Sequence, residues 1–427
     1  MREMKDSGIE WIGKIPKDWI ISKLKYELSE PMKYGASETG IDYDEKLYRY
    51  IRITDITSDG KLKQEGKLSL SESQAKDYVL LNNTVLFARS GGTVGKAFLY
   101  KEEYGKAAFA GYLISAVADN KKMNPKWLIY YTGSSAYIEW INRIFTQATI
   151  QNIGADKYSN MQIPIPSLDE QYMIIDYLDA KCAEIDALAS DIQAQIDTLE
   201  QYKRSVITET VTKGLNSDVE MKDSGIEWVG AIPEHWSIHP VYTYFGERKN
   251  KNRIGNEDNL LSLSYGRVIR KDINTSDGLL PESFNTYNIV EAGDIIIRPT
   301  DLQNDKRSLR TGLVKEHGII TSAYIDLYPL RKVDSRYFHF LLHAYDSMKA
   351  FYNMGNGVRQ GLNYSEFSRL MVFEPSYDEQ VAMADYLEAK VEEVDAVISD
   401  KKEQLATLDE YKKSLIFEYV TGKKEVV

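Results

Sequence analysis

Two stretches of the chain carry the hydrophobic pattern of long amphipathic helices. Neither contains a proline or a glycine, the first between Ser167 and Gly214 and the second between Ser376 and Gly422. Apolar residues recur at intervals of seven, and intermediate apolar positions make the stripe wider than a strict two-stranded coiled-coil seam. The pattern predicts two helices that contact each other and keep apolar surface for another protein. The repeating positions are Leu178, Ile185, Ile192, Leu199 and Val206 in the first stretch and Leu387, Val394, Leu408 and Leu415 in the second, where Lys401 interrupts the series.

Both helical stretches have recognisable start and stop signals. Each opens with an S-x-x-E capping box, in which the serine hydroxyl bonds a first-turn amide and the glutamate reaches back to the cap amide. Each closes on a glycine, the residue that most often ends a helix. About 45 residues at 1.5 Å per residue predict a rod of roughly 65–70 Å. The boxes are Ser167–Glu170 and Ser376–Glu379, and the closing glycines are Gly214 and Gly422.

The rest of the chain alternates short apolar runs with Gly, Asn and Asp turns, which is typical of strands. Examples are TVLFARS, AGDIIIRP and GIITSAYIDLYPL. Two longer segments, NPKWLIYYTGSSAYIEWINRIF and DSRYFHFLLHAYDSMKAFYNM, have helical patterns at matching places. The pattern predicts two mixed α/β modules, residues 20–163 and 237–372.

The chain repeats itself. MKDSGIEWIGKIPKDW begins at Met4 and MKDSGIEWVGAIPEHW at Met221, and the two helical stretches also match each other. Because a repeat of this kind decides the fold, we predict an α+β chain with a pseudo-two-fold internal repeat, in which two long antiparallel helices separate the modules. The predicted segments are 1–19, a first repeat segment; 20–163, the first module; 164–214, a central helical arm; 215–236, a second repeat segment; 237–372, the second module; and 373–427, a C-terminal helical arm.

The charge is distributed unevenly along the 427 residues. The net charge is −11, yet residues 161–220 alone carry 12 acidic and 4 basic residues, and 373–427 carry 14 and 7. The modules between them are mildly basic, so the overall charge does not exclude nucleic acid as a partner of the modules. One cysteine and five histidines argue against disulfides and zinc sites, and no apolar run suggests a signal peptide or membrane span. We therefore expect a cytoplasmic protein that binds no membrane.

Polar side chains suited to DNA base edges and phosphates cluster at corresponding places in the two modules. One group follows a predicted strand, and the other lies near the end of each module. In the first module the candidates are Arg89, Ser90, Thr93 and Lys96 on the glycine-rich turn RSGGTVGK, with Gln147, Thr149 and Gln151 near the end. In the second they are Arg298, Thr300, Asp301, Gln303, Asn304, Lys306, Arg307 and Arg310, with Arg359, Gln360 and Asn363 near the end.

The sequence matches known catalytic motifs only imperfectly. GGTVGKA has Ser90 where a nucleotide-binding P-loop needs glycine and Ala97 where it needs Ser or Thr. Asp179-Ala-Lys181 resembles part of a nuclease motif but lies inside a predicted helix, and Cys182 has no histidine nearby in the sequence to activate it. Three hypotheses stay open: a non-catalytic DNA reader, a single-chain nuclease or methyltransferase, and a coiled-coil scaffold that binds only proteins.

The chain resembles the specificity subunit of type I restriction-modification systems over essentially its full length. The resemblance rests on three features in combination: the two GIEW…IP…W segments, the arm openings IPIPSLDEQ and EPSYDEQ, and the turn RSGGTVGK. The resemblance implies that each module is a target recognition domain for one half of a split double-stranded DNA site. It also implies that the arms form an antiparallel coiled coil that sets the gap and docks two modification subunits, which methylate adenine N6. No cofactor is expected on this chain, since S-adenosylmethionine, ATP and Mg²⁺ belong to the modification and restriction subunits.

Overall fold

The computed structural model describes residues 2–57, 60–146, 152–274, 283–300, 302, 309–350 and 361–426. In chain order the α-helices of these ranges are α1 (Glu72–Ala75), α2 (Pro125–Thr132), α3 (Ser135–Thr146), α4 (Ala155–Ser159), α5 (Leu168–Lys213), α6 (Ser335–Ser347), α7 (Tyr364–Phe367) and α8 (Tyr377–Val420). Gln147, Thr149, Gln151, Asp301, Gln303, Asn304, Lys306, Arg307, Arg359 and Gln360 lie outside the described residues.

The strands of the first half of the chain are β1 (Met4–Asp6), β2 (Lys14–Pro16), β3 (Ile20–Lys23), β4 (Lys33–Tyr34), β5 (Ile41–Asp42), β6 (Tyr48–Ile51), β7 (Leu68–Leu70), β8 (Val85–Ala88), β9 (Ala97–Leu99), β10 (Ala107–Phe109), β11 (Leu113–Ala116) and β12 (Gln162–Ile165). Those of the second half are β13 (Met221–Asp223), β14 (Ala231–Pro233), β15 (Ser237–Pro240), β16 (Phe245–Glu247), β17 (Leu261–Ser264), β18 (Arg267–Arg270), β19 (Asn288–Val290), β20 (Ile295–Ile297), β21 (Thr311–Leu313), β22 (Gly318–Ile320), β23 (Ile325–Pro329) and β24 (Met371–Glu374).

The chain forms two compact units, Met1–Ile192 with Glu403–Val427, and Gln193–Lys402. Each unit holds one predicted module together with part of α5 and part of α8. The unit boundaries therefore fall inside the two long helices, whereas the six predicted segments divide the chain at the helix ends.

The first unit is built on the sheet β4-β11-β8-β9, beside a second sheet, β10-β6-β7-β5. β12 pairs with β3 and β1 with β2, so the start and end of the module are joined before α5 begins. The core packs Trp19 and Trp127 edge to face, their ring centroids 5.7 Å apart, against α5 residues such as Leu178. Burial of these large apolar side chains is the main stabilising contribution in this unit.

The second unit repeats the strand order of the first. The sheet β16-β23-β20-β21 corresponds to β4-β11-β8-β9, β15-β24 to β3-β12, and β13-β14 to β1-β2. Its core centres on Trp236, Tyr337 and Phe338. The remaining strands differ, because β17 and β18 form a separate hairpin and β19 pairs only with β22. The predicted α+β fold and internal repeat are confirmed.

The predicted capping box is complete at the second long helix and half complete at the first, where Ser167 Oγ accepts from the Glu170 amide at 3.3 Å but the Glu170 carboxylate bonds Trp19 and Arg2. Ser376 Oγ accepts from the Glu379 amide at 3.3 Å, and Glu379 accepts from the Ser376 amide at 2.9 Å, which completes a capping box. Gly214 and Gly422 have φ values of +77° and +66°, in the left-handed region that favours glycine at a helix end.

The repeat segments connect the ends of the two arms. In the first unit, Trp19 bonds the beginning of α5, and Gly422 beyond α8 lies so close to Pro16 that an added Cβ would come within 2.4 Å of that ring. In the second unit, Trp236 bonds the beginning of α8 and packs against Gly214 beyond α5. The near-identical segments thus make equivalent junctions, which explains why their sequences repeat.

The arms run antiparallel within each unit. In the first, Lys412 Nζ of α8 lies 2.6 Å from Asp186 of α5, and in the second, Lys203 Nζ of α5 lies 2.5 Å from Asp395 of α8. The heptad residues Leu178, Ile185, Ile192, Leu387, Val394 and Leu415 are buried, as predicted.

One predicted helix is divided. The segment after Asn124 forms two helices because α2 ends before Gly133 and α3 begins after Ser134. Ser134 is buried, and its hydroxyl accepts from the Tyr137 amide at 3.4 Å, which starts the second helix. The corresponding segment of the second unit has no glycine at this place and forms the single helix α6.

Candidate nucleic-acid interface

The glycine-rich turn of the first module leaves the sheet between β8 and β9. The carbonyl of Gly95 accepts from the Tyr137 hydroxyl of α3 at 2.5 Å, and Ile141 packs so closely that a Cβ on Gly95 would lie 2.3 Å from its side chain. Gly95 also has a φ of +87°, so glycine is needed there for both space and backbone conformation. By contrast, Gly91 and Gly92 are exposed, with open space beside both. The turn is therefore anchored at one end and accessible at its tip.

Arg89 links this turn to the end of the module. Its guanidinium lies over the Tyr34 ring, 4.8 Å from the centroid, and its Nε donates to Asn152 Oδ1 at 3.4 Å. Its carbonyl accepts from the Ile153 amide at 2.9 Å. The structure thus joins the turn to Asn152 and Ile153, near the end of the module.

Tyr34 and Asn152 are absent from the predicted site. Asn152 directly follows the predicted Gln147, Thr149 and Gln151 and could have been included on its residue type alone. Tyr34 carries no local signal, because it lies far from Arg89 in the sequence and reaches it only through the pairing of β4 with β11 and β11 with β8.

The other candidates on the turn differ in exposure. Lys96 is exposed, while Ser90 and Thr93 are half-buried. Ser90 forms an isolated bridge with Asn152 through the main chain. Among the described residues, neither Arg89 nor Lys96 has a carboxylate within ion-pair distance. The turn therefore carries positive charge that the described part of the module does not neutralise.

In the second module, Arg298 is half-buried and Thr300 is exposed at the end of β20. Asn363 is exposed and caps α7, where its side chain accepts from the Glu366 amide at 3.0 Å. The Pro299 carbonyl accepts from the Leu362 amide at 2.9 Å, so here too the strand end meets the end of the module.

Main-chain pairing fixes which residues of the two modules are equivalent. Ile153 bonds the carbonyl of Arg89, and Leu362 bonds that of Pro299. Arg298 is therefore equivalent to Ala88, one position before Arg89. Side chains alternate between the two faces of a sheet along a strand. Because Arg89 and Arg298 are one position apart after equivalent strands, their side chains belong to opposite faces. The two polar stretches correspond, as predicted, but their arginines do not.

Arg310 was predicted to contact DNA, but the structure places it inside the module. It is fully buried, and its Nη1 donates to the Thr300 carbonyl while its amide bonds Asp346 of α6. In this conformation its side chain holds the two ends of the 300–310 segment together and has no exposed surface for a base. Its equivalent in the first module is Lys96, since Ala88 bonds the Lys96 carbonyl as Arg298 bonds that of Arg310.

A buried charge cluster lies at the opposite end of β20. Arg248 donates to both carboxylate oxygens of Asp294, at 2.8 and 3.0 Å. Asp326 is also buried, and neither of its oxygens has a hydrogen-bond partner among the described residues. Burial and the neighbouring Asp294 raise the pKa of Asp326 to about 8 despite the nearby Arg248. In the first module, Thr84 and Ser115 occupy the places of the two aspartates, so this cluster is particular to the second module.

The residues of the enzyme-like motifs have structural roles in the helix α5. Asp179 lies in α5 and accepts from Lys126 and Tyr130, each at 2.5 Å. Cys182 is buried in α5, and burial raises the pKa of its thiol, which opposes a nucleophilic role. Across the described ranges, no three His, Cys, Asp or Glu side chains are grouped so as to hold a metal ion. None of the helices in those ranges has the length and apolar character needed to cross a membrane.

The sequence model of one protein family, the type I restriction modification DNA specificity domain, matches residues 16–198. Among curated proteins, the type I restriction enzyme MjaVIII specificity subunit of Methanocaldococcus jannaschii is 23% identical, over 97% of this chain and 94% of its own length. The type I restriction enzyme StySPI specificity subunit of Salmonella potsdam is 23% identical over 67% of this chain and 62% of its own length. Both similarities extend well beyond the stretch that the family model matches.

A solved structure described as showing complex assembly and conformational transition of the type I R-M system has a similar fold. It superposes with a TM-score of 0.69 at 14% sequence identity, covering 96% of this chain and 99% of the other.

Proposed function

We propose that the chain is a specificity subunit of a type I restriction-modification system and that each of its two modules reads one half of a split DNA site. The observation that supports this most directly is the repeated architecture. The central four-stranded sheet has the same strand order in both modules. In each, a polar segment follows an equivalent strand, β8 or β20, and its start is bonded to the end of the module. Two such modules in one chain suit a target made of two half-sites.

The half-sites are proposed to be unlike, so that the whole target is asymmetric. The first module has Arg89 and Lys96 where the second has Pro299 and Arg310, and Arg310 is buried. Side chains that differ in charge, reach and exposure at equivalent positions cannot make the same contacts with base edges or phosphates.

We assign no catalytic step to this chain. The proposed partners are double-stranded DNA, two modification subunits that use S-adenosylmethionine, and restriction subunits that use ATP and Mg²⁺. The buried Cys182 and the structural role of Asp179 support a reading function over an enzymatic one. Its proposed place of action is the cytoplasm, with the DNA.

The arms are proposed to dock the two modification subunits. Leu188 of α5 is 50% exposed, and Val397, at the equivalent position of α8, is 41% exposed. Each lies within one turn of an inter-arm ion pair. Tyr411 beside the first pair and Tyr202 beside the second are also exposed. An aliphatic residue and a tyrosine thus recur once in each unit, which suits two copies of the same partner.

The arms are also proposed to set the gap between the half-sites. The ion pairs Asp186–Lys412 and Asp395–Lys203 lie at equivalent places of the two units and hold both helices in antiparallel register. A fixed register keeps each module on a defined part of the arms, which a target with a constant gap requires.

Mapping N6-methyladenine across a genome tests the proposal. Cells would express the modification subunit with or without this chain. We expect a new split motif with two unlike half-sites and a constant gap only when the chain is present. If the chain is only a coiled-coil scaffold, the two proteins will co-purify but no motif will depend on this chain.

A further inference from the structure

The first module carries a side-chain arrangement that the described residues of the second do not form. Arg89 is held by three groups: the Tyr34 ring under its guanidinium, Asn152 Oδ1 at its Nε, and the Gly111 carbonyl, 3.5 Å from its Nη1. Tyr34 is itself fixed, because its hydroxyl accepts from the Ala155 amide at 2.9 Å. The guanidinium is therefore oriented before any ligand arrives.

The equivalent positions of the second module have different chemistry. Pro299 stands in place of Arg89, and Gly361 in place of Asn152, by the main-chain pairing described above. Extending the pairing of β16 with β23 by two residues past Glu247 places Lys249 opposite Ile325, where the first module has Tyr34 opposite Ile114. The second module can therefore form neither the stacked arginine nor its side-chain hydrogen bond.

The positive charge of the Arg89 guanidinium favours an anionic ligand. Most surface arginines of the described residues pair with a carboxylate, as Arg2 does with Glu170 and Arg143 with Glu139. Arg89 has no such partner there, and its two hydrogen bonds to described residues leave most of its five N–H donors for a ligand. A fixed guanidinium fork suits the two oxygens of a phosphate.

The shape of the turn favours the sugar-phosphate backbone over a base edge. Gly91 and Gly92 lie exposed between Arg89 and Lys96, and a Cβ added to either would meet nothing within 4 Å. Two adjacent glycines without side chains, between Arg89 and Lys96 in the sequence, let a DNA strand approach the main chain closely. A base reader in the major groove would instead need to project beyond its surroundings.

We propose that the turn Arg89–Lys96 is a clamp for a backbone phosphate of the half-site bound by the first module, with Tyr34 and Asn152 as positioning residues for Arg89. At the equivalent described positions, the second module has Pro299, Gly361 and Lys249 instead. This inference rests on the proposed function. It adds that the first half-site is held by a sequence-independent contact that fixes the register of the module on the duplex.

The test measures binding of the assembled complex, this chain with its modification subunits, to a fluorescent duplex carrying the mapped motif, across a series of salt concentrations. Arg89→Ala should weaken binding roughly tenfold at about 0.1 M salt and reduce the slope of log K against log salt by about one, the change expected for one lost phosphate contact. The methylated motif should stay the same. Pro299→Ala, the matched change in the second module, should keep the wild-type slope.

Further variants separate the clamp from a folding defect. Gly92→Asp changes an exposed residue with open space beside it, so the chain should fold, while the new carboxylate should repel the phosphate and weaken binding. Tyr34→Leu should weaken binding more than Tyr34→Phe, because phenylalanine keeps the ring under the guanidinium.

Two results would overturn the clamp. If Arg89→Ala relaxes the base preference at one motif position, Arg89 reads a base, and if it leaves affinity and salt slope unchanged, Arg89 does not touch DNA. Failure of the proposed function looks different, because the wild-type complex would then show no preference for any split duplex over a scrambled one.

Discussion

The indole nitrogen of Trp19 donates a hydrogen bond to the carboxylate of Glu170 over 2.9 Å, joining the first repeat segment to the start of α5. Trp236 makes the same bond to Glu379, the equivalent residue of α8, over 3.3 Å. The two halves of the chain thus make equivalent junctions from near-identical sequences.

Trp19→Phe should lower the free energy of unfolding by about 1–3 kcal/mol, because it removes a hydrogen bond to a charged acceptor and part of a fully buried ring. Trp11→Phe is the matched control, since the buried Trp11 indole nitrogen has no hydrogen-bond partner among the described residues. Urea unfolding followed by circular dichroism measures both. Equal losses from the two changes would show that the bond to Glu170 adds nothing to stability.

Arg310→Met should lower the free energy of unfolding by about 1–3 kcal/mol, because it removes the hydrogen bond that a fully buried guanidinium donates to the Thr300 carbonyl. Lys96→Met, at the equivalent but exposed position of the first module, should cost less than about 0.5 kcal/mol. Urea titration of both variants tests the comparison. Similar small losses would contradict a structural role for Arg310 and restore it as a candidate DNA contact.

The second unit holds all five histidines of the chain, and two of them should oppose folding at acid pH. Burial and His343 lower the pKa of His339 to about 3, and burial with Lys203 and Arg204 lowers that of His343 to about 4. An unfolded histidine titrates near 6.5, so the stability from keeping both rings neutral is present above that pH and is lost as the pH falls toward 4. Between pH 7.5 and 5 the two histidines should therefore cost roughly 2–4 kcal/mol, while the raised pKa of Asp326 acts in the opposite direction.

Two variants check the sign of this effect in urea titrations at both pH values. His343→Gln should make the chain less sensitive to acid. His317→Gln should make it more sensitive, because a hydrogen bond to Glu291 and the nearby Glu257 raise the pKa of His317, so that its contribution is present at low pH and lost as the pH rises. The same response from both variants would contradict the assignment.

Leu188→Asp and Val397→Asp should each remove one of the two modification subunits from the complex, because a carboxylate in an apolar contact loses its hydration without gaining a partner. Ser190→Asp and Ser399→Asp are the matched controls, since a shift of two residues turns the side chain to the opposite face of the helix. Mass measurement of the purified complexes gives the stoichiometry. Two bound copies with either variant of the apolar positions would place docking elsewhere.

Features set by local chemistry were predictable from the sequence. The capping box at Ser376, the serine cap at Ser167, the closing glycines and the buried heptad positions depend on neighbours within a turn or two, and the structure confirms them. The second half of the predicted box at Ser167 does not form, because Glu170 bonds the distant Trp19 and Arg2. The break before Ser135 was missed, although Gly133 within the helical pattern was the available signal.

Features that depend on strand pairing were harder to predict from the sequence. Arg89 and Arg298 look equivalent in sequence, yet pairing between distant segments shifts them by one residue, and one residue is enough to change the face of the sheet. The burial of Arg310 and the stacking of Tyr34 on Arg89 depend on the same long-range pairing, so neither could be read from residue type and spacing.

The most direct test of the central claim, that each module reads its own half-site, is a methyladenine map made with an altered chain. In this chain, residues 237–372 are replaced by a second copy of residues 20–163. The account predicts that the asymmetric motif of the natural chain is replaced by an inverted repeat of its first half-site, with the modification subunit unchanged. Retention of the original second half-site in the methylated motif would contradict the account.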